Sequence, residues 1–137
     1  MLTSNDCLPI AIVAESDEET RGLIRSLLEF LGFAVVEVSD GAEVYESAMC
    51  YQPDLILLEL PVVNGFSAIR RIKKESELTK IPIIALSSRS ATSNKNLAMA
   101  AGCSAHVQKP IEFDQLESVV EELVHCDRLT LVSTMVH

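Results

Sequence analysis

The sequence is poor in basic residues. It contains 11 Lys and Arg against 20 Asp and Glu, which gives a formal net charge of -9. Because phosphate backbones are bound through clustered Lys and Arg, this balance argues against a nucleic-acid partner. The densest basic stretch, RRIKK at 70–74, is typical of the solvated face of a helix.

Long hydrophobic runs are also missing. No window approaches the roughly 18 consecutive apolar residues that a bilayer-spanning helix needs. The first residues carry neither a basic region nor a long apolar stretch, so no signal peptide is indicated. We therefore expect a cytoplasmic protein without a membrane segment.

Motifs for nucleotide binding, metal binding and nucleophilic catalysis are lacking as well. There is no GxxxxGK[ST] or GxGxxG, and the three histidines belong to no Ser/Cys–His–Asp constellation. The four cysteines, at positions 7, 50, 103 and 126, are scattered and form no CxxC. We expect them to be small buried hydrophobic residues, with a disulfide or metal role as the alternative.

What is present is an alternation of short apolar runs and longer amphipathic stretches. The runs predict strands at 9–14, 33–38, 54–60, 81–87 and 104–108. They are rich in Val, Ile and Leu and mostly lack strict alternation, which is typical of strands buried on both faces of a parallel sheet.

Helices are predicted between these strands. The first begins in a capping box of Ser16 and Glu19 and ends at Gly32. Its predicted buried face consists of Leu23, Ile24, Leu27, Leu28 and Leu31. The later helices are predicted at about 41–50, at about 65–75 with Asn64 as its cap, at about 92–101, and after Pro110.

Five strands alternating with five helices predict an α/β fold, a doubly wound parallel sheet with helices on both faces. At 137 residues and 48% hydrophobic composition, the chain suits one domain. We place it at 9–126, after an N-terminal segment at 1–8 and before a tail at 127–137. Function in such folds resides where the strands end, at a topological switch point.

Five local signals at these strand ends resemble the receiver domain of two-component response regulators. They are the acidic turn ESDEE after the first strand, the carboxylate of Glu59 closing the third, the NG turn after it, the hydroxyl pair Ser87-Ser88, and QKP at 108–110. The resemblance covers about 9–125. It implies a flavodoxin-like five-stranded sheet of order 2-1-3-4-5.

The resemblance also implies roles for single residues. Lys109 matches the lysine that contacts a phosphoryl group, and Pro110 the proline that usually follows it in a cis bond. Ser87 matches the switch hydroxyl, and Glu15 the first of two acids that help to hold Mg²⁺. Glu59 stands at the phosphoacceptor position, where the family has an aspartate that a histidine kinase phosphorylates.

The sequence departs from the family pattern at four places. Ser16 stands where the second acid is expected, His106 replaces an aromatic residue, and Glu59 replaces the aspartate. Only LPVVN separates Glu59 from Gly65, which makes this loop shorter than is typical of the family. Mg²⁺ needs close octahedral oxygen geometry, so we expect no cofactor or weak Mg²⁺ binding, with Glu15, Asp17 and Glu59 as the available ligands.

These departures favour a receiver that is not phosphorylated. The additional methylene of Glu59 displaces its carboxylate, and in-line transfer is sensitive to such an error. Glu59 is then either a permanent mimic of the phosphorylated state or a tolerated acid. As a mimic, Glu59 could pair with Lys109 within direct salt-bridge range, whereas a Glu59 turned to solvent would leave only the tolerated acid. Ser16 is interpreted as a helix cap, and Ser87 as a hydrogen-bonding residue at a strand end.

His106 has two interpretations, an exposed bystander or a polar and pH-responsive partner contact. The predicted function is a degenerate, non-enzymatic receiver that binds a protein, either a histidine kinase or a downstream signalling protein. Binding would use the face of the fourth helix, fifth strand and fifth helix, and a homodimer is possible. The alternative is a working receiver with Mg²⁺-dependent phosphorylation at an acidic residue.

Overall fold

A computed structural model describes residues 8–60, 64–88 and 92–124. Strands and helices alternate along the chain, as predicted. The strands are β1 Ile10–Ala14, β2 Ala34–Val38, β3 Leu55–Leu60, β4 Ile83–Ser87 and β5 Ala105–Gln108. The helices are α1 Glu18–Phe30, α2 Gly41–Tyr51, α3 Gly65–Lys74, α4 Thr92–Ala101 and α5 Phe113–Leu123.

The five strands form one parallel sheet in the order β2-β1-β3-β4-β5. This confirms the predicted fold class and strand order. The central strands β1 and β3 are neighbours although β2 lies between them in sequence, so the winding direction reverses there. The crevice beyond their carboxyl ends is therefore the switch point at which such folds place their sites.

Two apolar cores cover the two faces of the sheet. One joins the sheet to α1 and α5 and includes Leu27, Leu57 and Val120. The other joins it to α2, α3 and α4 and includes Ile56 and Ile69. Residues of β3 alternate between the two cores, which explains why this strand is apolar on both faces.

Several details of the prediction are corrected. Leu23, assigned to the buried face of α1, is 46% exposed, whereas Ile24, Leu27 and Leu28 are buried. The face of α1 that contacts the sheet is thus narrower than the set of apolar residues in its sequence. Cys103 is buried as expected, but Cys50 is exposed, and positions 7 and 126 lie outside the described residues.

The predicted capping box at the start of α1 is also wrong. The N-cap is Asp17, whose carboxylate accepts hydrogen bonds from the backbone N–H of Thr20 at 2.8 Å and from its hydroxyl at 2.6 Å. Asn64 does stand at the N-cap of α3, but it adopts φ 62° and makes no side-chain cap bond. Its contribution is a left-handed turn that few residue types other than Gly adopt at low cost.

The elements run from Ile10 to Leu123, within the predicted domain at 9–126. The segments 1–7 and 125–137 lie outside the described residues, so the two outer boundaries stay predictions. Within the described ranges, no helix has the length and apolarity needed to cross a bilayer.

Candidate functional site

The polar residues that follow the central strands gather at one edge of the sheet. Glu15 directly follows β1, Glu59 is the last residue but one of β3, and Lys109 directly follows β5. Because the strands are parallel, their carboxyl ends meet at this edge. The structure brings all three side chains into direct contact.

Lys109 lies between the two carboxylates. Its Nζ donates to Glu15 Oε2 at 2.8 Å and to Glu59 Oε2 at 2.8 Å. The Glu59–Lys109 distance confirms the expected ion pair. The Glu15–Lys109 pair was not predicted, although Glu15 and Glu59 lie at the ends of β1 and β3, which adjoin at the switch point. We call these three side chains the carboxylate–lysine cluster. Lys109 is followed by a cis bond to Pro110, as the resemblance implied.

The second oxygen of Glu59 is held by Ser16. The backbone N–H of Ser16 donates to Glu59 Oε1 at 2.9 Å, and its hydroxyl donates to the same oxygen at 2.7 Å. The interpretation of Ser16 as a helix cap is therefore wrong. Ser16 thus provides a hydrogen-bond donor where the family pattern has an acid. That donor fixes the Glu59 carboxylate on the neighbouring strand β3.

Glu59 and Lys109 are stabilised in their charged forms. Burial disfavours ionisation of Glu59, but the hydrogen bonds from Lys109 and Ser16 outweigh it and hold the pKa of the carboxyl below its usual range. For Lys109, burial acts against the ammonium, yet its bonds to Glu15 and Glu59 raise the lysine pKa. The pair is thus an ammonium and a carboxylate at neutral pH.

Glu15 has the less favourable environment of the two carboxylates. Its side chain is 0% exposed. Oε2 accepts from Lys109 and from the backbone N–H of Asp17 at 3.0 Å, whereas Oε1 is buried and makes no hydrogen bond. Burial is the main cause that raises the pKa of Glu15, and the nearby Glu59 charge adds to it. Two carboxylates therefore compete for one ammonium.

Asp17 points away from the cluster. Its carboxylate caps α1, and the two hydrogen bonds from Thr20 lower its pKa. Asp17, named above as an available metal ligand, is thus engaged as the cap of α1. Its backbone N–H contributes to the cluster by donating to Glu15.

Arg21 was not singled out from the sequence. Its Nη1 donates to the backbone carbonyl of Glu15 at 3.0 Å, and its Nε pairs with Glu37 at 3.1 Å. These contacts fix the β1–α1 turn beside a cleft of about 440 Å³ lined also by Ser16 and Ser39. Arg21 lies one turn into α1 from the cluster, and this position was the signal that could have identified it from the sequence.

The carboxylate oxygens of the cluster are largely engaged by protein donors. Both Glu59 oxygens and one Glu15 oxygen accept hydrogen bonds from protein donors, and Lys109 places a positive charge between them. Mg²⁺ requires near-octahedral oxygen ligands and gives up water reluctantly. No group of three or more His, Cys, Asp or Glu in the described part of the chain is suited to a metal.

Ser87 and His106 form a second contact at the same end of the sheet. Ser87 is fully buried at the end of β4, and its hydroxyl lies within hydrogen-bonding distance of His106 Nε2. The Ser87 hydroxyl is therefore engaged by a side chain of β5. His106 is half-buried rather than exposed, and its role as a bystander or as a partner contact stays a prediction.

The register explains the Ser87–His106 contact. His106 lies opposite Ala85 in the β4–β5 ladder. Ser87 is two residues beyond Ala85, so it points to the same face and is a diagonal neighbour of His106. The strand order and the register together would have predicted the Ser87–His106 contact. The register, however, cannot be read from the local sequence of either strand.

We predict that His106 titrates below the usual histidine range. Burial lowers its pKa, and the nearby Lys95 charge lowers it further. Because the folded state then resists protonation, folding stability falls as the pH drops below about 6.5, where the unfolded chain binds the proton first. An NMR titration of the His106 ring protons, assigned with His106→Asn, measures this shift. Lys95→Gln should raise the midpoint, and a wild-type midpoint at or above 6.5 would contradict the prediction.

A model of the response regulator receiver domain matches residues 11–121. The chain belongs to this family. It is 31% identical over 102 residues to the polar-differentiation response regulator DivK of Brucella anthropi, an alignment that covers 73% of this chain and 83% of DivK. This receiver is therefore a module of two-component signalling, a class that interacts with histidine kinases and other signalling proteins and is generally not enzymatic.

Solved receiver structures agree with this assignment. The receiver domain of the sensor histidine kinase PA1611 from Pseudomonas aeruginosa PAO1 is 26% identical, with a TM-score of 0.78 over 88% of this chain and 100% of that one. That structure has a magnesium ion coordinated in its active site cleft. CheY4 of Vibrio cholerae, at 20% identity and a TM-score of 0.76 over 85% of this chain and 99% of that one, supports the fold alone.

Proposed function

We propose that this receiver acts by binding other proteins without being phosphorylated. The observation that carries the proposal is the state of Glu59. Its Oε2 is paired with Lys109 and its Oε1 accepts two hydrogen bonds from Ser16. A carboxylate held at both oxygens is a poor nucleophile, because attack on a phosphoryl donor requires one of those contacts to break.

The arrangement around Glu59 supports a single fixed state. Its carboxylate makes the contact to Lys109 that a phosphoryl oxygen makes in the family, whereas the Ser87 hydroxyl contacts His106 instead. Glu59 thus reproduces one of the two phosphoryl contacts. A carboxylate has less charge and fewer acceptor oxygens than a phosphate. Glu59 is therefore proposed as a partial mimic of the phosphorylated state.

A weak or absent response to Mg²⁺ is part of the same proposal. The ammonium of Lys109 already supplies positive charge between Glu15 and Glu59. Entry of a divalent cation would require Lys109 to move and Ser16 to release Glu59. Both changes cost hydrogen bonds that charged groups make in a partly buried site.

The proposed binding surface is the face of α4, β5 and α5. It exposes Leu97 and Met99 of α4 at 54% and 43%. Half-buried His106 lies on β5 between the two helices. Exposed large apolar side chains, Met among them, are favourable for protein contacts. A histidine kinase or a downstream signalling protein is the class of partner we propose for it.

The decisive experiment is incubation of the chain with acetyl phosphate and Mg²⁺, followed by intact-mass measurement. We expect no phosphoryl adduct on the wild-type protein. The matched control is the double variant Ser16→Asp, Glu59→Asp, which restores the two acids that the family uses and should acquire Mg²⁺ affinity by calorimetry. A wild-type adduct that disappears in Glu59→Gln would establish the alternative, a working phosphoacceptor.

A further inference from the structure

An apolar groove lies at the opposite end of the sheet from the carboxylate–lysine cluster. Its apolar lining consists of Pro53, Ile81, Pro82, Leu123 and Val124, where β3 and β4 begin and α5 ends. The groove has a volume of about 250 Å³. An apolar cavity of roughly 150 Å³ already takes a benzene-sized molecule, so the groove has room for at least one large aliphatic side chain.

The described part of the chain ends at this groove, three residues before the predicted tail at 127–137 begins. Val124, the last described residue, lines it. Only two residues separate Val124 from the tail, and three residue steps span at most about 11 Å. The sequence of the tail, DRLTLVSTMVH, places Leu129 and Leu131 two positions apart.

We propose that the tail at 127–137 binds in this groove, with Leu129 and Leu131 contacting its apolar lining. In an extended segment these two side chains point to the same side. Charge is complementary as well, because Lys80 borders the groove while Asp127 opens the tail and shares the side of Leu129 and Leu131 in an extended segment.

The tail suits the groove better than a second copy of the chain does. Two copies each carry a net charge of -9 and repel one another. A tethered segment, by contrast, is present at an effective concentration in the millimolar range. The inference goes beyond the proposed function, since the groove and the cluster lie at opposite ends of the strands, and either can fail without the other.

Tryptophan fluorescence tests the proposal on the full chain, which contains no Trp. Leu131→Trp introduces a single reporter in the tail. We expect blue-shifted emission and acrylamide quenching several-fold weaker than in the reference variant Phe30→Trp, whose position is 72% exposed. Adding Leu123→Lys, which places a charge in the groove at a helix end that tolerates cations, should restore full quenching. Circular dichroism confirms that each variant is folded.

Hydrogen exchange on the chain with its native tail provides a second measurement. The double variant Leu129→Ser, Leu131→Ser should increase deuterium uptake in peptides that contain 80–82 and 120–124. Thr130→Ala, a change on the other side of an extended tail, is the matched control and should not. Three results would overturn the proposal: a Leu131→Trp reporter as exposed as Phe30→Trp, protection that survives Leu123→Lys, or protection that disappears on dilution and so identifies a second copy as the occupant.

Discussion

Replacing Lys109 with methionine is expected to lower the free energy of unfolding by about 3–5 kcal/mol, the usual cost of removing one partner from a buried ion pair. Methionine keeps most of the side-chain volume but leaves Glu15 and Glu59 facing each other without a counter-charge. Glu15 is fully buried, so water compensates its carboxylate poorly for the lost ammonium. Urea denaturation at pH 7 measures the loss.

The pH dependence of the Lys109→Met deficit distinguishes charge from packing. Without the ammonium, the folded-state pKa values of both glutamates rise above their unfolded values, so the variant regains stability as the pH falls toward about 4. In the wild type, Glu59, whose pKa is lowered, contributes a loss of stability over the same range, while Glu15, whose pKa is raised, contributes a gain. The deficit should therefore shrink in acid. Lys74→Met, an exposed change on α3, is the control, and a Lys109→Met loss no larger than that control would contradict the proposed cluster energetics.

Replacing Gly41 with alanine is expected to destabilise the protein by about 1–3 kcal/mol or more, because the new methyl group meets backbone atoms. A Cβ at Gly41 would lie 2.1 Å from the carbonyl oxygen of Asn64 and 2.9 Å from the backbone nitrogen of Gly65. Neither atom can rotate away. The start of α2 or the start of α3 must shift, and α3 begins immediately beyond the short loop that follows Glu59. Thermal denaturation measures the loss.

Gly22→Ala is the matched control for Gly41→Ala. Gly22 lies inside α1, and a Cβ there would have no neighbour within 4 Å. Alanine removes the entropy cost of an interior helical glycine, so we expect a gain of about 0.5–1 kcal/mol. Opposite signs for two identical chemical changes would separate steric contact from helix propensity. A loss in both variants, equal in size, would refute the close-approach explanation for Gly41.

The fold was predictable because its signals are local. Apolar runs such as LILLEL in β3 and amphipathic stretches such as α1 are each specified by a few neighbouring residues. The predicted strands begin one or two residues early. At Pro9 and Pro82 the reason is physical, since proline has no N–H to contribute to the ladder. Leu23 was misassigned because apolar character marks a broad helix face, while burial depends on the width of the contact with the sheet.

The sequence predicted which residues form the site better than it predicted the contacts between them. Glu59 and Lys109 follow strands that end at one edge, and their pairing required only the strand order. Ser16 and Asp17 exchanged their expected roles, because both are good caps and local pattern does not reveal which one α1 uses. The Ser87–His106 contact depends on the β4–β5 register. Register is a tertiary property, fixed by packing of the whole sheet.

The span of the carboxylate–lysine cluster has a consequence for biosynthesis. Its two ion pairs join residues 94 and 50 positions apart in the chain. A ribosome-bound chain that has not yet exposed Lys109 holds Glu15 and Glu59 without a neutralising partner, and loop closure over such separations is slow. Charge balance is thus reached only once β5 joins the sheet, which makes it one of the last steps of assembly, together with the packing of α5 on the same core.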